Sequence, residues 1–266
     1  MDAGILRDTL TIGSGILTGV MSGSFGVGGA VLSTPAIRAL GCSAAMAVGT
    51  TLPSILPGGV SGSWKYRSHN LVRWDIVKLT VASGVAAAVI GALISEILPG
   101  DGHPLMILTA LLLFWISTNL ISGKNENINP DGTNSSGETP TVARFKTKAV
   151  FVGVMAGGLS GLLGVGGGII MVPAFRSLLR IPMKTAIATS LICVGCFAIP
   201  GTITHTIQGG VDWRFAVLLT VGVIPGAPLG AKIALSLSDE HLRRVFGVFL
   251  AIIAVVYAGG EIAALV

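Results

Sequence analysis

The residues of this 266-residue chain that could do chemistry come in matched pairs. Gly23-Ser-Phe-Gly-Val-Gly-Gly-Ala30 returns as Gly161-Leu-Leu-Gly-Val-Gly-Gly-Gly168. Each copy is followed by a Pro and then an Arg, in Thr34-Pro-Ala-Ile-Arg38 and Val172-Pro-Ala-Phe-Arg176. Where a helix begins at a glycine-rich break, its first amides have no intrahelical partner and carry the positive end of the aligned peptide dipoles. Glycines let an oxyanion approach those amides without interference from a Cβ. Gly26, Gly28 and Gly29, with Gly164, Gly166, Gly167 and Gly168, are therefore candidate substrate-binding positions. The chemistry they suit is reversible capture of an anion.

Other polar residues accompany them. Thr50-Thr51 and Thr189-Ser190 stand at equivalent places, about two turns into the apolar segment that follows each motif. Their hydroxyls could donate to substrate oxygens, although membrane Ser and Thr commonly bond a carbonyl one turn back instead. Arg38 and Arg176 lie about ten residues beyond the glycines, about 15 Å along a helix. They are candidates for anion-attracting pore mouths, with snorkelling to lipid head groups as the plainer reading. His205 matches Tyr66 in position and is a candidate for proton coupling, against a simple interfacial histidine. Cys193 could carry sulfur covalently, against a small packing residue in a helix.

Several chemistries find no support. Cys193-x-x-Cys196 lacks a second ligand pair, so no metal site is expected. No cofactor is called for, and no Gly-x-x-x-x-Gly-Lys-Ser/Thr supports ATP-driven work. No catalytic residue set emerges, so the chain is not expected to be an enzyme. Glu96, Asp212, Asp239, Glu240 and Glu261 all fall near segment ends or loops. A relay through buried carboxylates, common in proton-coupled transporters, is missing. That points to uniport or weak coupling.

The elements holding these residues belong in a bilayer. The chain is 52% hydrophobic and 11% charged, with a mean hydropathy of +0.83. Soluble domains carry about 25% charged residues, so an integral membrane protein is implied. The 38 glycines suit close helix packing, and small-residue faces are compatible with a homodimer. A formal charge of +5 needs no nucleic acid, because basic residues collect in cytoplasmic loops. No small-residue cleavage site closes a short apolar region at the start, so no signal peptide is expected.

Gly26–Gly29 interrupts an apolar segment over roughly 5–41, and the reading gives it arms of about a dozen residues, short of the roughly 20 needed to span a bilayer. Apolar spans follow near 44–66, 77–98 and 104–122. Trp74 marks an interfacial entry. Residues 123–145 form a polar linker without periodicity. The pattern then restarts with a broken segment near 148–180 and spans near 183–206, 214–237 and 242–262. Gly26, Pro35 and Arg38 match Gly164, Pro173 and Arg176 at an offset of 138. Beyond one inserted residue, Thr50, Gly62, Trp74 and Gly91 match Thr189, Gly201, Trp213 and Gly230 at 139. The expected organisation is an N-terminal repeat over 1–122, a cytoplasmic linker over 123–145 and a C-terminal repeat over 146–266.

Glycine-rich breaks at membrane depth are tolerated where the backbone is buried or lines a cavity. Two of them in corresponding places point to a transporter site. If each broken segment crossed the membrane, the seventeen basic residues would divide ten to seven. If each is a hairpin returning to its own side, Arg7, Arg38 and Arg214 stand against the other fourteen. The second division obeys the positive-inside rule far better. The fold expected is therefore all-α and polytopic: two inverted repeats, each a re-entrant glycine-rich hairpin plus three transmembrane helices, with parallel repeats whose broken segments cross the membrane as the alternative.

With Gly-x-Gly-Gly-x-x-x-x-x-Pro placed twice, and Ala47-Val-Gly-Thr-Thr-Leu52 and Ala186-Ile-Ala-Thr-Ser-Leu191 after each, the chain resembles the sulfite exporter TauE/SafE family, also called toluene-sulfonate uptake permeases. The resemblance covers nearly the whole chain apart from the linker and the extreme ends. It implies a multi-pass carrier in the bacterial or archaeal inner membrane. The implied partner is a small sulfur-containing anion, such as sulfite, thiosulfate or an organosulfonate like sulfoacetate. The first motif departs from the family's triple glycine in having Ala30 where the second has Gly168. An inside-negative potential favours anion exit by about 2.3 kcal/mol per charge per 100 mV, so export is the direction expected. A channel-like anion facilitator, or a sulfur-transfer protein using Cys193, would be the alternatives.

Overall fold

A computed structural model of the chain describes residues 3–97, 111, 114–118, 120, 142–163 and 167–265. Among the described residues the regular structure is helical. The first half supplies α1 (Ala3–Phe25), α2 (Ala30–Ala39), α3 (Ala44–Arg67) and α4 (Trp74–Ile97). The second supplies α5 (Val142–Leu163), α6 (Gly168–Leu179), α7 (Met183–Ile207), α8 (Trp213–Ser236) and α9 (Asp239–Leu265). Residues 114–118 are also helical and pack on α9, where the Ser117 hydroxyl donates to Gly247 O at 2.8 Å. Most of the expected linker lies outside the described residues, and α5 already begins at Val142. By length and composition, α7, α8 and the Trp74–Gly91 stretch of α4 could cross a membrane.

The hairpin arms correct the expectation of two short pieces. α1 has 23 residues and α5 has 22, each about 33–35 Å long at 1.5 Å per residue. The second arms are short, with 10 residues in α2 and 12 in α6. Glycines inside α1 do not break it because they are contact surface. Gly15, Gly19 and Gly23 meet Gly222, Gly226 and Ala227 of α8 in ascending order, so the two helices run side by side in the same direction. A Cβ added at Gly19 would stand 2.7 Å from Val223 O. Such close backbone approach is how membrane helices gain van der Waals contact, and it outweighs glycine's poor helix propensity. Thr80 and Gly84 of α4 meet Gly153 and Gly157 of α5 in the same manner.

Each short arm folds back along its long one. Ile37, late in α2, packs with Phe215 and Leu219 near the start of α8, and the Arg7 guanidinium of early α1 lies 5.3 Å from the Phe215 ring centroid. The end of α2 thus returns to the level at which α1 begins. In the second hairpin Lys148 Nζ, early in α5, donates to Leu178 O, late in α6, at 3.0 Å. A lysine on the last carbonyls of a helix also complements its dipole.

α3 and α7 pack on each other between the hairpins. α3 begins beside α8, where Asp212 N donates to Thr50 Oγ1 at 2.9 Å. α7 begins beside α4, where Arg73 N donates to Thr189 Oγ1 at 3.3 Å. Asp212 also caps α8, its Oδ1 accepting from Arg214 N at 3.0 Å and Phe215 N at 3.3 Å. The bundle thus has an Arg214 end, where α3 and α8 begin, and a Lys148 end, where α4, α5 and α7 begin.

Candidate anion site at the hairpin tips

The first tip turns through three glycines in the left-handed region, Gly26 (φ +72°), Gly28 (φ +83°) and Gly29 (φ +83°). L side chains rarely adopt that geometry, which explains why the break falls here and not at the glycines within α1. Gly29 then stands at the N-cap of α2. Hydrogen bonding of the new helix starts with Leu32 N and Ser33 N on Gly29 O at 3.0 and 3.1 Å. The amides of Ala30 and Val31 therefore head the helix, and both residues are buried. In the second tip Gly167 caps α6, with Ile170 N and Met171 N on its carbonyl at 3.2 and 2.9 Å. Gly164 and Gly166 lie outside the described residues.

The two tips touch. Gly168 lies against Gly26 O and Val27, so that a Cβ there would collide with the Gly26 carbonyl oxygen. This accounts for the difference between the motifs: the first copy has room for the buried Ala30 methyl, and the second has none at Gly168. Gly28 presses on Val194 of α7, and Gly26 on Ile187. Ser190 Oγ donates to Gly26 O at 2.7 Å.

The four hydroxyls singled out from the sequence part company. Ser190 reaches the first tip. Thr51 donates to Val48 O, three residues back, at 2.9 Å and lies 3.4 Å from Thr34 Oγ1. Thr50 and Thr189 accept from backbone amides at opposite ends of the bundle. All four side chains are buried. Thr18 and Ser22 of α1 escaped the sequence reading. They flank the first tip, and a Cβ on Gly29 would stand 2.7 Å from Thr18 Cγ2 and 3.7 Å from Ser22 Cβ. Their four-residue spacing, one face of a helix leading into the glycines, was the available signal. Tyr66 was another omission: fully buried, it donates to Gly23 O at 2.8 Å and ties α3 to the end of α1.

Among the described residues the fully buried side chains bearing a hydroxyl are Ser, Thr and Tyr66, and no buried charged side chain stands beside the tips. Amide dipoles and hydroxyls are thus the polar groups on offer at the tips. Arg38 is exposed near the end of α2, and Arg176 is half-buried and engaged in α6. His205 is half-buried and engaged beside Gly49 and Gly210 at the Arg214 end. Cys193 is fully enclosed, whereas Cys196 is half-buried. Among the described residues no cluster of His, Cys, Asp or Glu could hold a metal ion.

A probable membrane transporter protein of Xylella fastidiosa (strain 9a5c) is 30% identical over 250 residues, covering 92% of this chain and 93% of its own. The probable membrane transporter protein YunE of Bacillus subtilis is 26% identical over 253 residues, covering 90% and 93%. A probable membrane transporter protein of the archaeon Methanocaldococcus jannaschii is 22% identical, covering 90% of each chain. No solved structure matches the chain. The family described as Sulfite exporter TauE/SafE matches residues 11–257. The protein is a membrane transporter and belongs to the TauE/SafE sulfite exporter family.

Proposed function

We propose that the chain is a secondary carrier for a small sulfur-containing anion (sulfite, thiosulfate or an organosulfonate such as sulfoacetate), working in the export direction across the inner membrane. The observation that carries this reading is the meeting of two glycine tips in a buried setting whose polar groups are amides and hydroxyls. A sulfur oxyanion has several acceptor oxygens and no need of a covalent partner, so such a setting matches it. The tightly packed tips, with Gly168 against Gly26 O, favour a carrier that rearranges over a standing channel. The full enclosure of Cys193 argues against sulfur transfer through its thiol.

Inverted repeats with six full crossings are part of the same reading. Supporting it, α1 runs with α8 and α4 with α5, while Thr50 and Thr189, equivalent residues, serve opposite ends of the bundle. The Arg214 end then carries three basic residues and faces outward, and the linker is cytoplasmic. Alternating access follows if one repeat rocks against the other about the tips.

The test is counterflow in proteoliposomes. Vesicles loaded with unlabelled sulfite, thiosulfate, sulfoacetate, sulfate or chloride are challenged with the radiolabelled anion. Purified protein is titrated with the same anions for thermal stabilisation, about 2.7 kcal/mol being expected at a hundredfold excess over Kd. A sulfur anion that shows saturable counterflow and stabilises the protein, both weakened in a Thr18→Val/Ser22→Ala variant of unchanged basal stability, supports the site. Linear flux without counterflow would make it a channel. No response to any sulfur anion in either assay would overturn the substrate class.

A further inference from the structure

Outside the hairpin site, a groove of about 240 Å³ runs between α3 and α7 toward the Lys148 end. Leu56 and Val60 of α3 and Leu191 and Ile192 of α7 form its apolar walls, and Cys196 lies in its floor. Its base is tight, since α3 and α7 approach closely at Gly59, where a Cβ would stand 2.7 Å from Leu191 O. The groove opens sideways, because Val60 is 58% exposed and Trp64 is 74% exposed. On a helix of a transmembrane transporter, exposed apolar residues in mid-helix face lipid tails.

Its mouth has a different chemistry. Arg67, Trp64 and Trp74 meet there, the Arg67 guanidinium 5.9 Å from the Trp74 ring centroid. Among the described residues no carboxylate pairs with Arg67; nearby Asp75 is held by Arg73 at 2.6 Å. An arginine over an aromatic face keeps its charge and its five donors available for a second, anionic partner. Two tryptophans at this height are what a head-group region selects, and this end of the bundle carries most of the basic residues.

We propose that this groove is a binding site for an anionic phospholipid, its phosphate on Arg67 and one acyl chain along the walls of α3 and α7. Basic pockets between transmembrane helices are suited to such head groups. The occupant bridges α3 of the first half and α7 of the second, so binding adjusts how freely the halves move. Neither the lipid nor the groove is needed for the carrier reading to stand.

The test uses full-length protein in detergent, titrated with phosphatidylglycerol, with phosphatidylcholine of the same chains, and with glycerol phosphate alone. Phosphatidylglycerol is expected to bind about fivefold tighter than phosphatidylcholine, the effect of one arginine beside a net-anionic head group in place of a zwitterionic one. Arg67→Gln, an exposed substitution, should abolish that preference, and Lys232→Gln, an equal loss of charge on α8, should keep it. Val60→Trp, which fills the groove with charge unchanged, should weaken both lipids. Equal binding of the two lipids by the wild type, or a preference that survives Arg67→Gln, would overturn the site. Glycerol phosphate matching the lipid would make it a site for soluble anions and overturn the assignment equally.

Discussion

Ser190 Oγ stands 2.7 Å from Gly26 O, so a side chain of the second half holds the backbone of the first hairpin's turn. Ser190 is fully buried, and removing its hydroxyl leaves the Gly26 carbonyl without that donor away from water. An orphaned buried acceptor costs about 1–3 kcal/mol. Ser190→Ala should therefore lower the unfolding midpoint measurably in detergent. Ser236→Ala, which removes an exposed bond to Ile233 O, should stay within about 0.5 kcal/mol. Equal midpoints for the two variants would mean that the tip does not depend on Ser190.

Backbone strain and steric contact can be separated at two glycines. Gly28 has φ +83° and presses on Val194, whereas Gly41 has φ +98° with nothing within 4 Å of a built Cβ. Alanine at Gly41 should incur the left-handed strain alone, about 1–2 kcal/mol. At Gly28 an overpacking cost of about 1–3 kcal/mol should add to it. Val194→Ala should then rescue part of the Gly28→Ala loss and none of the Gly41→Ala loss, read as midpoints of the single and double variants. A rescue of equal size at both would show that the collision with Val194 is irrelevant.

The first tip was legible in the sequence because a positive-φ turn leaves a local mark, three glycines within four residues. The length of α1 was not. Its interior glycines look like breakers locally, and what makes them helical is α8, about 200 residues away. The regular spacing Gly15-x-x-x-Gly19-x-x-x-Gly23 against Gly222-x-x-x-Gly226-x-x-x-Gly230 held that information, but only as a pair. Thr50 shows the same limit. Its acceptor role depends on the amide of Asp212, 162 residues on, and no spacing around Thr50 announces it.

Thr50 and Thr189 hold opposite ends of the bundle, so their loss should act at opposite ends. Cys42, buried with Ile37, Ala47 and Phe215 at the Arg214 end, reports on the first. Thr50→Val removes the acceptor of Asp212 N and should speed maleimide labelling of Cys42 in a variant whose other cysteines are replaced by alanine. Thr189→Val, acting at the Lys148 end, should leave that rate unchanged. Since the two threonines share no partner, their stability losses should add within about 0.5 kcal/mol. Equal labelling in both variants would argue that the ends are not separately latched.

Adjacent glycines of α5 should respond with opposite signs. Gly157 lies against the backbone of Gly84 on α4, and a Cβ there would stand 2.6 Å from Gly84 Cα. Gly158, one residue on, has only Ala87 O at 4.0 Å. Replacing glycine by alanine inside a helix gains about 1 kcal/mol of propensity wherever the methyl has room. At Gly158 that gain is unopposed, so Gly158→Ala should raise the unfolding midpoint. At Gly157 the methyl forces α4 and α5 apart and loses the close contact that substitutes for hydrophobic drive within a bilayer. Gly157→Ala should lower the midpoint, and Gly84→Ala should lower it too, because its Cβ would collide with the Phe197 ring of α7 and meet Gly153 O of α5 at 2.9 Å. If Gly157→Ala and Gly158→Ala shift the midpoint alike, helix propensity and not the α4–α5 contact governs the stability of this helix pair.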